Sequence, residues 1–245
     1  ITLVAPSASD DPLGQAQYSN TGSSSPITVT GLSNGTSYVA KVWAINDYGN
    51  GPLSDATSSF TPIAASRGLF MGGFSSSHVN TVDQIVVETA GNATDFGDLS
   101  STRYLNAGFS SDTRAITAGG ADSNGRDIIE YFTFASAGNA TDFGDQSAVS
   151  YGGAGFSNNV RGVFNLGFQG SSVSNIIEYV TIASTGNSID FGDLASATTY
   201  MAGLSSSTRG VLGGGYTSNY TSSIVYIDIA SQGNSVAFGN ATANH

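Results

Sequence analysis

Proton transfer near neutral pH needs histidines, or carboxylates and amines whose pKa values have been shifted. This 245-residue chain supplies two His, three Glu and one Lys. It has no cysteine, which removes thiolate nucleophiles, thiolate metal clusters and disulfides together. His78 and His245 are isolated in the sequence, so neither a triad nor a histidine metal site can be assembled from them. The acidic residues that do form a pattern are the Asp-Phe-Gly-Asp pairs Asp95 and Asp98, Asp142 and Asp145, and Asp190 and Asp193; a fourth copy carries Ala237 and Asn240 instead. Carboxylates at that spacing suit a hard cation such as calcium or two-carboxylate glycoside hydrolysis. Each copy offers few ligands, however, and equivalent pairs in successive repeats would not converge on one substrate. The preferred reading is a turn, in which Asp accepts backbone N–H groups and Gly permits the bend. No cofactor and no metal are expected.

Other motif readings fail on their missing companions. Asp-Phe-Gly lacks the Gly-rich loop and His-Arg-Asp of a kinase. The glycine runs Gly119-Gly120 and Gly213-Gly215 have no following helix or Lys, as a phosphate-cradling loop would require. A formal net charge of -11 argues against nucleic acid and anionic lipid, which both need clustered positive charge. No apolar run approaches the roughly 20 residues of a membrane span. A start at Ile1, without an initiator Met or a basic segment, suggests a processed or excerpted chain.

What would position any site is a repeat. Arg67, Arg114, Arg161 and Arg209 open similar Gly-rich segments 47, 47 and 48 residues apart. Each is followed, 24 or 25 residues later, by a Gly-Asn segment that runs into the Phe-Gly turn. A fixed period means one supersecondary unit used repeatedly. Inside a unit the apolar residues alternate, as in Tyr131-Phe132-Thr133-Phe134, Tyr179-Val180-Thr181-Ile182 and Tyr226-Ile227-Asp228-Ile229, which predicts strands. Residues 1–62 lack the repeat and hold the only Trp, the only Lys and all five prolines. They are expected to form a separate β unit, with residues 63–245 as the repeat domain.

Two resemblances add to this reading. Leu32, Tyr38, Ala44-Ile-Asn46, Gly49-Asn-Gly-Pro52 and Ser54–Pro62 resemble the C-terminal half of a fibronectin type III domain. That implies a partial immunoglobulin-like sandwich in which the Tyr38 hydroxyl ties back to the chain. The segments Arg103–Ser110, Arg114–Gly120 and Ile128–Tyr131 resemble kelch repeats, with Phe96, Phe143, Phe191 and Phe238 in the place of the packing Trp. The implied fold is an all-β, kelch-like β-propeller of about four repeats of ~47 residues. Three repeats are complete, while residues 63–98 lack a first strand; either a borrowed strand closes the ring, with Ser58–Ile63 the nearest candidate donor within the chain, or another chain completes it. Gly91–Leu99 and Ser205–Leu212 also resemble repeats of bacteriophage virion and tail-fibre proteins.

Those resemblances imply a non-enzymatic virion or cell-surface protein used for display and for host or glycan attachment. Expected partners are copies of itself, other virion or appendage proteins, and a host surface glycan or protein. A repeating subunit of an extracellular filament is the alternative, and a secreted carbohydrate-active enzyme a third. The loops that follow the diglycines vary, and binding specificity tends to reside in such loops. Tyr216, Asn219 and Tyr220 in the last one combine aromatic faces with an amide, which suits carbohydrate or protein recognition. The Asn-X-Thr triplets at Asn34, Asn92, Asn139, Asn219 and Asn240 read as glycosylation sequons in a eukaryotic secreted protein and as turns in a phage or bacterial one.

Overall fold

The fold is that of a computed structural model, which describes residues 2–4, 18–24, 27, 29–33, 36–60 and 66–245. Every regular element among them is a β-strand. The chain divides into two compact units, Ile1–Ser66 and Arg67–His245.

In the first unit Thr2–Val4 pairs with both Tyr18–Ser19 and Val39–Lys41, and Ile45–Asn46 forms a hairpin with Gly49–Asn50. Tyr38 is buried, and its hydroxyl accepts the N–H of Ser33 at 3.1 Å. The ring is therefore anchored at its polar end as well as by burial. Phe60 pairs with Tyr38 through reciprocal backbone bonds of 2.8 Å. Ser58–Phe60 thus belongs to the first unit's own pairing, which removes the described part of the expected donor strand. Residues 61–63, and Asn34 with Gly35, lie outside the described residues.

The second unit is a series of antiparallel meanders. The first sheet has three strands, Arg67–Phe74, His78–Val86 and Thr94–Asp98. The second has four, Ala107–Ser110, Arg114–Ala118, Arg126–Thr133 and Thr141–Ser150. The third is built from Gly155–Ser157, Arg161–Asn165, Ile176–Thr181 and Ile189–Asp193, with a small hairpin of Phe168–Gln169 and Ser172–Val173. The fourth comprises Ala202–Ser205, Arg209–Gly213, Ser223–Asp228 and Val236–Asn240. None is closed into a barrel. The inner strand of the second sheet begins at Ala107 and not at Arg103, because Leu105 turns to φ 58° and breaks the extended run.

The core is divided by junction. One apolar cluster joins Val82, Phe96 and Leu99 of the first repeat to Ala115 and Phe132 of the second. Another joins Phe109, Ile129 and Phe143 to Phe164, Val180 and Ile182, and a third joins Phe156, Ile177 and Phe191 to Leu212, Ile227 and Ile229. Alternation along each strand sends one set of side chains to the preceding sheet and the other to the following one. Both faces of the middle sheets are therefore buried.

Glycine sets how closely the sheets approach. A Cβ at Gly162 would fall 2.1 Å from the ring of Phe109, and one at Gly210 would fall 1.9 Å from the ring of Phe156. Each inner-strand phenylalanine is thus seated on the bare backbone of the next sheet. Gly162→Ala should lower unfolding free energy by about 2 kcal/mol, as overpacking does. Phe109→Leu in the same chain should recover part of that loss in urea titrations followed by circular dichroism; equal losses in both backgrounds would show that the ring is not the obstacle.

Candidate binding face

The loops after the diglycines and the linkers between sheets gather the aromatic side chains that the core does not use. Phe74 and His78 flank the first such loop, and His78 stacks on Tyr104 of the following linker, with centroids 4.9 Å apart and planes at 18°. Phe168 stacks on Tyr151 at 5.2 Å and meets Tyr200 at 5.6 Å in an edge contact. Tyr216 and Tyr220 meet at 5.5 Å and 71°. Tyr104, Tyr151 and Tyr220 all lie near enough to Tyr200 to oppose its ionisation. Burial first, and then these three phenols, push the Tyr200 hydroxyl above its ordinary pKa. Phe74, Tyr200 and Tyr220 remain exposed.

The predicted trio is therefore part of a larger face. Tyr216 bridges to Thr199 and Tyr220 by backbone pairing, and Thr217 donates to the carbonyl of Asn219 at 3.1 Å. The sequence reading leaves His78 isolated and does not single out Tyr104, Tyr151 or Tyr200. The available signal was their spacing, since Tyr104 and Tyr151 stand 47 residues apart beside the same kind of loop.

Tyr200 also carries backbone strain, at φ 56°. A left-handed conformation costs a non-glycine residue roughly 1–2 kcal/mol, and such residues persist where the surroundings over-determine them. Here the Tyr200 N–H donates to the Gly152 carbonyl at 2.8 Å, and the Thr199 hydroxyl to the same oxygen at 3.0 Å. Gly152 holds the equivalent place one repeat earlier, at φ 73°.

In the second sheet's loop, Asp122 accepts the N–H groups of Ser123 at 2.5 Å and Asn124 at 3.1 Å and is paired with Arg126. The Asn124 bond, followed by the guanidinium, holds its carboxyl well below the usual range. Arg103 is fully buried against Glu130, whose other oxygen accepts the N–H of Ser100 at 3.2 Å. Desolvation first, and then Arg126, bring Arg103 down to about 10, so its guanidinium stays charged at neutral pH. Glu178 is buried too and accepts from Ser188 and Ser147. Two of the three glutamates are therefore occupied in holding neighbouring segments.

The Asp-Phe-Gly-Asp pairs sit at the junctions. The backbone N–H groups of Asp98, Asp145 and Asp193 donate to the side-chain oxygens of Asn139, Asn187 and Asn234, at 3.1, 3.0 and 3.0 Å. The recurring contact is thus made by the next repeat's Gly-Asn segment and not by the aspartate carboxylates. Among the described residues no group of three or more His, Cys, Asp or Glu is placed to share a metal ion. Phe96, Phe143 and Phe191 are buried, whereas Phe238 meets only Tyr226 edge-on and is exposed. A polar groove of about 510 Å³ runs across the turns at Ser110–Asp112, Ser157–Val160 and Ser205–Ser207. Its groups largely satisfy one another: the Ser157 hydroxyl donates to Ser110 O at 2.6 Å, and Asn159 to Asp112 at 2.7 Å.

No family model matches the chain, and no curated protein does. Among solved structures it is similar to one titled "Structure of YjhT", with a TM-score of 0.57 at 8% identity, covering 71% of this chain and 65% of that one. At that identity the likeness concerns the fold alone.

Two outcomes follow. Tyr200→Ala, which keeps a Cβ at positive φ, should be less stable than Tyr200→Gly by about 1 kcal/mol; equal melting temperatures would contradict the strain. Because the Asp122 pKa is depressed, its tie to the loop is present above the ordinary carboxylate value of about 3.9 and is lost as pH falls through the folded-state value. A carboxyl NMR titration should find its midpoint below the ordinary value, and Arg126→Gln should move it upward.

Proposed function

We propose that this chain is a non-enzymatic display protein of a virion appendage or cell surface, built as a partial fibronectin-like unit followed by kelch-like propeller blades, which binds surface carbohydrate through its tyrosine-rich loops. The observation that carries this reading is the exposed, strained Tyr200 set edge-on to Phe168, which stacks on Tyr151, beside the Tyr216–Tyr220 pair that bridges to Thr199. Sugar rings present apolar C–H faces ringed by hydroxyls. Tyrosine offers a flat apolar surface with a polar tip, held by only two side-chain torsions. Rigid sheets below fix the rings, so little ordering entropy is lost on binding.

The blade reading is supported by the four meanders, whose strands adjoin in chain order, and by the inner strands of consecutive sheets lying side by side. The tied hydroxyl of Tyr38 supports the fibronectin-like reading. The non-enzymatic reading is supported by the placement of the carboxylates: the aspartate pairs are spread over successive junctions, and Glu130 and Glu178 are taken up in structural bonds.

Binding should be measured by an oligosaccharide array followed by calorimetry on the best ligands. Tyr200→Gly and Tyr220→Ala should each weaken binding at least tenfold, a loss of about 1.4 kcal/mol, while leaving β circular dichroism unchanged. Absence of saturable binding over a broad panel would overturn the carbohydrate reading, and turnover of a bound glycan would overturn the non-enzymatic one.

A further inference from the structure

The same contacts recur at all three junctions, and each end of the array carries one half of them. On the leading side, the strand-opening arginine of each sheet donates to a carbonyl of the next sheet. Arg67 reaches Phe134 O at 2.8 Å, Arg114 reaches Ile182 O at 2.9 Å, and Arg161 reaches Ala230 O at 2.7 Å. The carbonyls of Phe96, Phe143 and Phe191 accept the N–H groups of Gly138, Gly186 and Gly233 at 2.7–2.8 Å. Asp98, Asp145 and Asp193 donate to the asparagines described above. On the fourth sheet the leading side is complete and unmet. Arg209 stacks on Tyr226 at 4.3 Å but reaches no further sheet. Phe238 is 57% exposed, where its three counterparts are 2% exposed. Leu204 is exposed in the place of the buried Phe109 and Phe156. Beside Arg209, Tyr226 and Val236 lies an open depression of about 420 Å³.

The first sheet carries the receiving side. Phe70 is 61% exposed, while Leu212 and Phe164 in the same register are fully buried against the preceding sheet. Val87 is exposed in the position of Ile182 and Ile229, the residues whose carbonyls meet an arginine. Gly68 stands where Gly162 and Gly210 each receive a phenylalanine ring, and it faces none. Gly91-Asn92 repeats Gly138-Asn139, and on the leading side nothing lies within 4 Å of a Cβ built on Gly239, where its counterparts on Gly97, Gly144 and Gly192 would meet the next sheet's glycine carbonyl at 2.2–2.5 Å.

We propose that these two faces are the halves of one further junction, and that each is covered by a second copy of this chain packed head to tail. Among the described residues both faces are open, so the four sheets leave one half-junction at each end. Their donors and acceptors match in the pairing used three times internally: Arg209 to Val87 O, Gly91 N–H to Phe238 O, and Asn240 N–H to the Asn92 side chain. Leu204 would pack over Gly68 against Phe70. A contact of this kind is heterologous, so it either closes or propagates. Two copies would close it into a ring of eight sheets, the upper end of the usual range for propellers. This junction lies apart from the tyrosine loops and does not rest on carbohydrate binding.

The test is light scattering on the full chain over a range of concentrations. The expected mass is twice the 24.8 kDa of one chain, or a larger multiple if the contact propagates. Leu204→Asp breaks the leading face and Phe70→Asp the receiving face; both residues are exposed, and circular dichroism checks folding. Each variant alone should be monomeric. Mixed, they should form a one-to-one complex, because one intact leading face then meets one intact receiving face. Arg209→Glu should weaken assembly in the same direction. A parent chain that stays monomeric, variants that still assemble alone, or a mixture that forms no complex would each overturn the proposal.

Discussion

How closely one sheet can approach the next constrains everything else in the repeat unit. At each junction two backbones meet with no room for a side chain: a Cβ on Gly144 would lie 2.5 Å from the carbonyl of Gly186, and one on Gly192 equally near that of Gly233. These glycines sit at a bulge in the third-to-outer strand pairing, at φ 146°. Close approach lets the Gly N–H reach the Phe carbonyl, brings the arginine to its acceptor and closes the apolar cluster between the sheets. Stability in such an array is a sum of unit and nearest-neighbour terms. The second and third sheets, covered on both faces, form its firmest part.

The aromatic face lies on the segments that the junctions do not use. Loop length and composition vary among the four repeats, from the Asp122–Arg126 clasp to the Tyr216–Tyr220 pair, while the strands beneath keep one register. Strain at Tyr200 fits this division: a residue whose conformation is unfavourable locally is held by the linker bonds to Gly152 and presented outward. Specificity can then change in the loops without disturbing the packing below.

Much of this was readable in the sequence, for an identifiable reason. The 47-residue period, the alternating strands and the missing first strand of residues 63–98 all follow from local patterning, which a repeat amplifies by stating it several times. What stayed hidden depends on neighbours in space. Arg103 looked like the start of a strand, and its burial against Glu130 emerges only when the linker folds over the next sheet. His78 looked isolated because its stacking partner, Tyr104, is 26 residues away. The Asp-Phe-Gly-Asp motif drew attention to its carboxylates, whereas the backbone N–H of the second Asp makes the recurrent bond. Phe238 reads like its three counterparts and differs only in having no sheet in front of it.

The inner strands show how the array can change over time. Ser157 bonds to Ser110, and Ser205 to Ser157, through matching hydroxyl-to-carbonyl bonds of 2.6 and 2.8 Å. Every such bond joins identical positions in adjacent copies. A whole copy added to or removed from such an array would therefore meet the same serine partner on either side, whereas a shift of a few residues would leave the hydroxyl opposite the wrong carbonyl.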